Sequence, residues 1–464
     1  MAGSGKQGVR SVDVDKAYLI SDASFVVDIS QQLIEINIYQ ELYEPFMACD
    51  VTFQDATDVY NDVSRAPDRQ PGFTGHDMLV ISYSTKFEDD EIEHKTHVFV
   101  LYEVSERRRS AEKSEVLSLE GISIEGWFEA NKRISRSYGT NSRKNTVSNY
   151  IESIVDEFIY SREIKDIYND IESKLKVTVK RDNTFDPTTS RLSYIIPSLT
   201  PTNAIDTLIR EADNDGEAPL FTFYEDSLGF HFADISKLTT LPIVDTFTYE
   251  PSNANEAGPD RSMIDLKKIV DFNIIKQTNT YELKDSGLFA SKMINIDILR
   301  KNKTEVVYDY SKIGPKFPKL NDGNLRHGHL VSGSSNPDSA MYMRTSRTGH
   351  DSYELFESES HLPKKSNTII NKRNSYGEHL ENIALSVVLN GHSELNVGNK
   401  INIVIPKATN IGEGDKSAVV DKYLSGYYMI TRLRHIIKGD VMDTIIDVAK
   451  DTESTAPITQ PHKG

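Results

Sequence analysis

A chain of 464 residues exceeds what one hydrophobic core usually serves, so about two to four domains are expected. Its 38% hydrophobic and 27% charged residues are the composition of a folding chain with a polar surface, which excludes the disordered and collagen-like classes. The formal net charge of −17 opposes general attraction to nucleic acid or to an anionic membrane.

Residues 1–17 read as a flexible N-terminal arm. The segment 18–139 then offers a series of short strands: SFVVDIS, LIEINIYQELY, MACDVTFQDA, MLVISYST, THVFVLYEVSE and SEVLSLEGISIEGWFEA. Each alternates or is β-branched, and turn-forming or charged stretches such as RAPDRQPGFTGHD and FEDDEIEHK separate them, the pattern of a small β-barrel or sandwich. Cys49, the single cysteine, lies in an apolar run and reads as a core residue with no disulfide partner.

Residues 140–250 predict a helix-plus-hairpin module. Val147, Ile151, Ile154, Val155, Phe158 and Ile159 recur at helical spacing. In SLTPTNAIDTLIREAD, Thr200 is placed to cap a second helix, Pro201 suits its first position, and Ala204, Ile205, Leu208 and Ile209 form the buried stripe. APLFTFYEDSLGFHFADIS then predicts a hairpin turning at Asp226 to Gly229.

A second β-rich domain is expected over 251–311 and 378–451. The intervening 312–377, rich in Gly, Ser, Asn, Pro and charge, reads as a long loop insertion that a partner would order, because structureless loops beyond about 12 to 15 residues are uncommon in compact domains. The domain finishes on LSGYYMITRLRHIIKGDVMDTIIDVAKD, two β-rich runs flanking Gly439 and Asp440, which tolerate the positive φ of a tight turn. Residues 452–464 have the composition of a flexible C-terminal tail. The fold class predicted is α+β, mainly β: two small antiparallel β-barrel domains, a helix/hairpin module and a long insertion.

Signals for chemistry are sparse. GSGKQG and GEGDKS (Gly412 to Ser417) both miss the phosphate-loop spacing. His94 with His97 and His327 with His329 are close pairs; the HGH of the second could hold a metal on a trimer axis, set against a solvated loop, with no carboxylate or Cys joining either pair. Carboxylates abound, yet spacing singles out no pair for glycoside hydrolysis, and neither GxSxG nor HExxH occurs. The basic interval from SERRRS to NKRISRSYGTNSRK is interleaved with Glu and Ser, as a solvated protein-contact face would be. No catalytic residue and no cofactor is expected. No apolar run reaches the roughly 20 residues of a membrane-spanning helix, and MAGSGKQGVRS lacks the apolar centre of a secretion signal, so assembly in a cytosol without membrane insertion is expected.

The order LIEINIYQELYEPFMACDVTFQDA, PSLTPTNAIDTLIREAD, PLFTFYEDSLGFHFADI, LKDSGLFASKMINIDILRKN, LNGHSELNVGNKINIVIP and SGYYMITRLRHII resembles the baseplate hub proteins of contractile-tailed phages, related to the T-even tail hub and to the hub part of VgrG-type secretion spikes. The similarity runs from about residue 18 to 451 apart from the insertion. It implies a homotrimer, each subunit giving two barrels to a ring that joins the sixfold tail tube to the threefold central spike. It also implies contacts with other baseplate proteins and a channel that viral DNA crosses without specific binding, a lumen that an acidic chain suits. The implied location is the virion tail baseplate, assembled in the host cytoplasm, with the spike a separate chain. On this resemblance Gly426, Tyr427, Tyr428, Ile430, Leu433, Gly439, Ile445 and Val448 lie in the strands that close the second barrel. Alternatives are the hub of a contractile injection system, a non-contractile tail tip, and a tail-associated cell-wall hydrolase or glycan-binding module.

Overall fold

The computed structural model describes residues 12–21, 25–55, 75–86, 92–112, 114–139, 146–189, 194–214, 216, 218–249, 267–297, 301–323, 325, 341–345, 363–407 and 420–454. The fold is mainly β. Its largest element is a mixed sheet of 13 strands that runs through both β-rich parts of the chain.

The N-terminal half uses β1 (Val12–Ser21), β2 (Phe25–Asp28), β3 (Leu33–Glu41), β4 (Ala48–Asp55), β5 (Asp77–Lys86), β6 (Ile92–Ala111) and β7 (Ser114–Ser123). They pair antiparallel in the order β3-β4-β7-β6-β5-β1-β2. Alternation places Ile36, Ile38, Val51, Phe53, Leu79, Ile81, Leu117 and Leu119 in one core, with Cys49 among them. β1 begins inside the segment expected as a flexible arm. Its alternation of Val12 and Val14 with Asp changes phase at a bulge between Val14 and Lys16, which hides the strand from a simple period-2 reading.

The module opens with α1 (Ile124–Glu129) where ISIEGWFEA reads as strand. Gly126 explains the packing, since a Cβ there would stand 2.9 Å from Phe46 and from Ile122. After β8 (Ile134–Tyr138) come α2 (Val147–Ile154), a π-helical turn (Val155–Ile159) and α3 (Arg162–Leu175), then β9 (Thr184–Phe185) and β10 (Tyr194–Leu199). In α4 (Pro201–Ile209) the Thr200 side chain accepts from Asn203 N and Pro201 opens the helix, as its sequence predicts. β11 (Phe221–Asp226) and β12 (Gly229–Asp234) form the expected hairpin, Asp226 facing Gly229.

The C-terminal half follows α5 (Ile235–Leu238). It contains β13 (Thr246–Tyr249), β14 (Lys268–Lys276), α6 (Thr280–Asp285), β15 (Ala290–Asp297), β16 (Asn302–Asp309), α7 (Tyr310–Ile313), β17 (Met341–Thr345), α8 (Pro363–Leu380), β18 (Ile383–Asn390), β19 (Lys400–Val404), β20 (Gly426–Lys438) and β21 (Val441–Lys450). Six strands pair in the order β19-β13-β14-β18-β21-β20, and β20 pairs with β19 again, so the pairing returns on itself. The two β-rich parts are not separate sheets, because Arg432 to Ile437 of β20 also pair with β3. A register shift between Ile430 and Arg432 marks the passage of β20 from one half to the other.

The stretch 312–377, expected as a loop ordered by a partner, is built into the C-terminal half wherever it is described. β17 lies parallel to β15, Phe317, Leu320 and Leu325 enter the core, and α8 adds Tyr376 and Leu380. Helix α8 escapes the apolar-period test because its other inward residues are polar. Asn371, Ser375 and His379, four apart, meet Ser291 (2.7 Å), Tyr308 (2.8 Å) and Tyr310 (3.0 Å). At the C-terminus, Thr452 and Ser454 are buried, so packing continues into the segment expected as tail. Among the described residues no helix is long and apolar enough to cross a membrane.

Candidate functional site

The site the fold builds most elaborately is a buried polar seam where the two halves and the helix module meet. One side is the loop 391–399. Gly391 N donates to Met442 O at 3.0 Å, and a Cβ on Gly391 would stand 2.7 Å from that carbonyl, so the backbones approach as only glycine permits. Leu395 and Val397 anchor the loop in the C-terminal core. Ser393 and Asn396 are left to face the N-terminal half.

The contacts across are specific. The hydroxyls of Thr85 and Ser393 are 2.5 Å apart, and Lys95 Nζ donates to the Ser393 carbonyl. Gln40 donates from Nε2 to Asn396 Oδ1 (3.2 Å) and accepts at Oε1 from Val397 N (3.3 Å). Ser227, in the β11–β12 turn, donates to the same Asn396 oxygen at 2.6 Å. Each such buried group would cost about 1–3 kcal/mol if left unpaired, so the set fixes one docking register.

A second cluster pins the helix module. Arg181 places Nη1 2.9 Å from Glu225 Oε1 and Nη2 3.3 Å from Glu125 Oε1, and donates to Tyr168 OH at 2.7 Å. Tyr168 in turn donates to Glu125 at 3.0 Å, while Glu225 accepts from Met47 N at 3.0 Å. One guanidinium thus serves two buried carboxylates from α1 and β11. Burial pushes the Glu225 carboxyl up to about 7, Arg181 opposing this and Glu125 adding to it.

Three imidazoles complete the seam. His97 stacks between Tyr83 and Phe99 with ring centroids 5.9 and 6.0 Å away. His435 Nδ1 lies 3.2 Å from Thr444 Oγ1, which also accepts from His392 N at 3.0 Å. Burial pushes His97 down to about 3, with Lys95 and Arg181 adding to the fall. His435 is lowered by burial, then by Lys95, His97 and His392.

The residues singled out by sequence are distributed otherwise. His94 is exposed, with Nδ1 3.1 Å from Asp15 Oδ2, whereas His97 is buried, so the pair does not converge on a ligand position. His327 and His329, GSGKQG and GEGDKS lie outside the described residues. Among the described residues no group of three or more His, Cys, Asp or Glu could hold a metal. In SERRRS, Arg107 pairs with Glu115 at 2.7 Å and Arg109 donates to the Ala111 and Glu112 carbonyls. Tyr428, Ile430, Leu433 and Val448 are buried, Tyr427 and Ile445 half-buried, and Gly426 and Gly439 have positive φ.

A cavity of about 1020 Å³ lies between α3 and the N-terminal sheet, lined by Met78, Trp127, Phe128 and Ile167 with Arg162 and Asp166 among its charged residues. The seam itself was not legible in sequence, since its partners stand as far as 357 residues apart. Chemically, its charged groups are buried against one another, an arrangement that holds segments together.

No family model matches the chain, and no curated protein matches it. Solved structures do. The chain is similar in structure to phage tail proteins. With a tail protein from Neisseria meningitidis MC58 it shares 10% identity and a TM-score of 0.45, over 94% of this chain and 96% of that one. With the 43 kDa tail protein of prophage MuSo2 from Shewanella oneidensis the identity is 10% and the TM-score 0.46, over 94% and 100%. Against the Francisella PdpA-VgrG complex the values are 7% and 0.43, covering 98% of this chain and 60% of that chain.

Proposed function

We propose that the chain is the structural hub of a phage contractile-tail baseplate. In this reading it forms a homotrimer that joins the sixfold tail tube to the threefold spike, contacts other baseplate proteins and lines a channel for DNA. The observation that carries the reading is the double pairing of β20, to β19 within the self-closing C-terminal strands and to β3 in the N-terminal half. In this reading one chain supplies two β units that share the β20–β21 hairpin, and three chains would supply six.

The surface supports assembly. Val270, Ile274 and Ile275 on β14 are 44%, 40% and 54% exposed, and Tyr281, Val307, Met341 and Met343 are also exposed. Such apolar surface suits burial against other chains, where obligate interfaces reach about 2,000 Å² or more. The net charge of −17 suits a lumen that does not hold DNA. The proposed mechanism is mechanical: symmetry adaptation with a channel that opens when the spike departs, and no catalytic step. Electron microscopy of the purified protein, alone and with its spike, tests the proposal. Threefold particles with a central opening and a near-sixfold face are expected; compact monomers under both conditions would overturn it.

A further inference from the structure

We propose that the outer edge of β2 is a docking site for an extended, basic strand of another protein, which pairs with the β2 backbone and lays alternate apolar side chains over the groove beneath α3. The inference stands on the geometry of the single chain and does not require the hub reading. Among the described residues the 13-stranded sheet ends at β2, which pairs with β1 alone. Just beyond β2, Ile29 N donates to Ala17 O at 2.8 Å. Because bonded and non-bonded positions alternate along an antiparallel pair, Phe25 and Val27 turn their backbone groups to β1, and Val26 and Asp28 turn theirs outward.

One registered row of side chains forms the floor of the groove. Val26 lies opposite Ile20, Ile20 opposite Met78 and Met78 opposite Val100, so one apolar residue from each of four neighbouring strands stands in line on the face toward α3. All four line the cavity of about 1020 Å³. Exposure along the row rises from 2% at Val100 through 8% at Ile20 to 41% at Val26. The next member of the row would come from a strand added outside β2, and it would cover Val26 as Val26 covers Ile20. On the opposite face Val27 lies across from Leu19 and packs on the N-terminal core, so an added strand finds apolar neighbours on both faces.

Another edge of the same sheet supplies the contrast. β5 pairs with β6 only as far as Leu101, and β6 is exposed from Tyr102 to Ala111. That stretch is interrupted by register shifts after Leu101, Val104 and Arg109 and carries Glu103, Glu106, Arg107, Arg108 and Arg109, devices that keep an edge from pairing. β2 has no register shift against β1, no Pro and no Lys, and its one charge, Asp28, is turned to accept from Ser30 N at 2.9 Å. An apolar edge without such devices suits strand addition. Charge selects the strand. The groove carries Glu163, Asp166 and Asp170 against Arg162 and Lys174, and Asp28 adds a carboxylate on the edge itself. A second copy of this chain, with its net charge of −17, is opposed by that field, whereas a strand bearing Lys or Arg is drawn to it.

Trp127 is the single tryptophan and lines the groove, so its fluorescence reports binding there. The probe is the end-capped peptide KVTVTVK, titrated into the full chain. A saturable change in Trp127 emission is expected, with slower amide exchange at Val26 and Asp28. The acidic peptide EVTVTVE, and KVTPTVK with a central proline that lacks an N–H donor, should each bind about tenfold or more weakly. Val26→Lys gives β2 the protection it lacks; at this exposed position it should leave thermal unfolding unchanged and weaken KVTVTVK about tenfold or more. Should that variant not fold, Asp166→Lys, on the exposed side of α3, should narrow the preference for the basic over the acidic peptide. No saturable response to KVTVTVK, equal affinity for EVTVTVE, or undiminished binding and preference in the variants would overturn the proposal. Self-association that Val26→Lys abolishes, without peptide binding, would overturn it too and assign the edge to a second copy.

Discussion

Gly426 and Gly439 both have positive φ, yet their surroundings separate them. At Gly426, φ is +136° and a Cβ would stand 2.6 Å from Asn321 Oδ1. That oxygen accepts from Tyr427 N at 2.9 Å while Asn321 Nδ2 donates to the Tyr427 carbonyl at 2.9 Å, so the amide side chain pairs with Tyr427 as a neighbouring strand would. Gly439 has φ +61° in a turn with nothing within 4 Å of a would-be Cβ. Gly439→Ala is therefore expected to cost about 1 kcal/mol of backbone strain alone. Gly426→Ala should cost about 2–4 kcal/mol, because the Asn321 bridge is lost as well. Urea midpoints of the two variants measure this, and equal shifts would contradict the distinction. A second residue-scale test concerns Glu225, raised from 4.5 to about 7. A raised carboxyl contributes stability that is complete below 4.5 and disappears as pH rises through 7. Glu225→Gln, which stays neutral, should thus be more destabilising relative to wild type at pH 5 than at pH 8, with a change on the order of 1–3 kcal/mol. A gap independent of pH would show that the carboxyl is not held up by its burial.

At the scale of elements, what was legible in the sequence was what local chemistry decides. Thr200 and Pro201 announce α4, and Asp226 to Gly229 and Gly439 with Asp440 announce two hairpins, because caps and tight turns are written in adjacent residues. Helix α8 was not legible, since its inward face carries Asn371, Ser375 and His379 and only Tyr308, Tyr310 and Ser291 across the packing give those residues a reason to be inside. The seam is hidden for the same cause at longer range. The polar stripe makes a prediction of its own. Ser375 accepts from Tyr308 OH at 2.8 Å and donates to the Leu288 carbonyl at 2.9 Å. Ser375→Ala should cost about 1–3 kcal/mol, because it leaves both partners unpaired in the interior. Its helix neighbour Asn374 is half-buried, and Asn374→Ala should be neutral or slightly stabilising through helix propensity. Thermal unfolding of both variants compares them, and similar losses would mean that α8 is held by its apolar residues alone.

At the scale of the whole molecule, the β20–β21 hairpin decides whether the two halves behave as domains. Ile437 and Met442, at its turn end, belong to the N-terminal core. Ile430, Leu433, Ile446 and Val448, nearer its open end, belong to the C-terminal core. Neither core can therefore be completed without a strand pair that the other also needs, and β20 bonds to β3 along Arg432 to Ile437 besides. Multi-domain chains commonly unfold in separable steps, but a shared element couples the steps by the full cost of removing it. Calorimetry at pH 7.5 should give one transition with a calorimetric to van't Hoff enthalpy ratio near one. Ile437→Ala sharpens the test: a core truncation of this kind costs about 2–5 kcal/mol, and here it should move the single transition as a whole. Two transitions, with only the first displaced by the substitution, would mean that the hairpin joins two independent bodies. It would then act as a strap between them, and a rigid ring built from such chains would need its stiffness from the contacts between protomers.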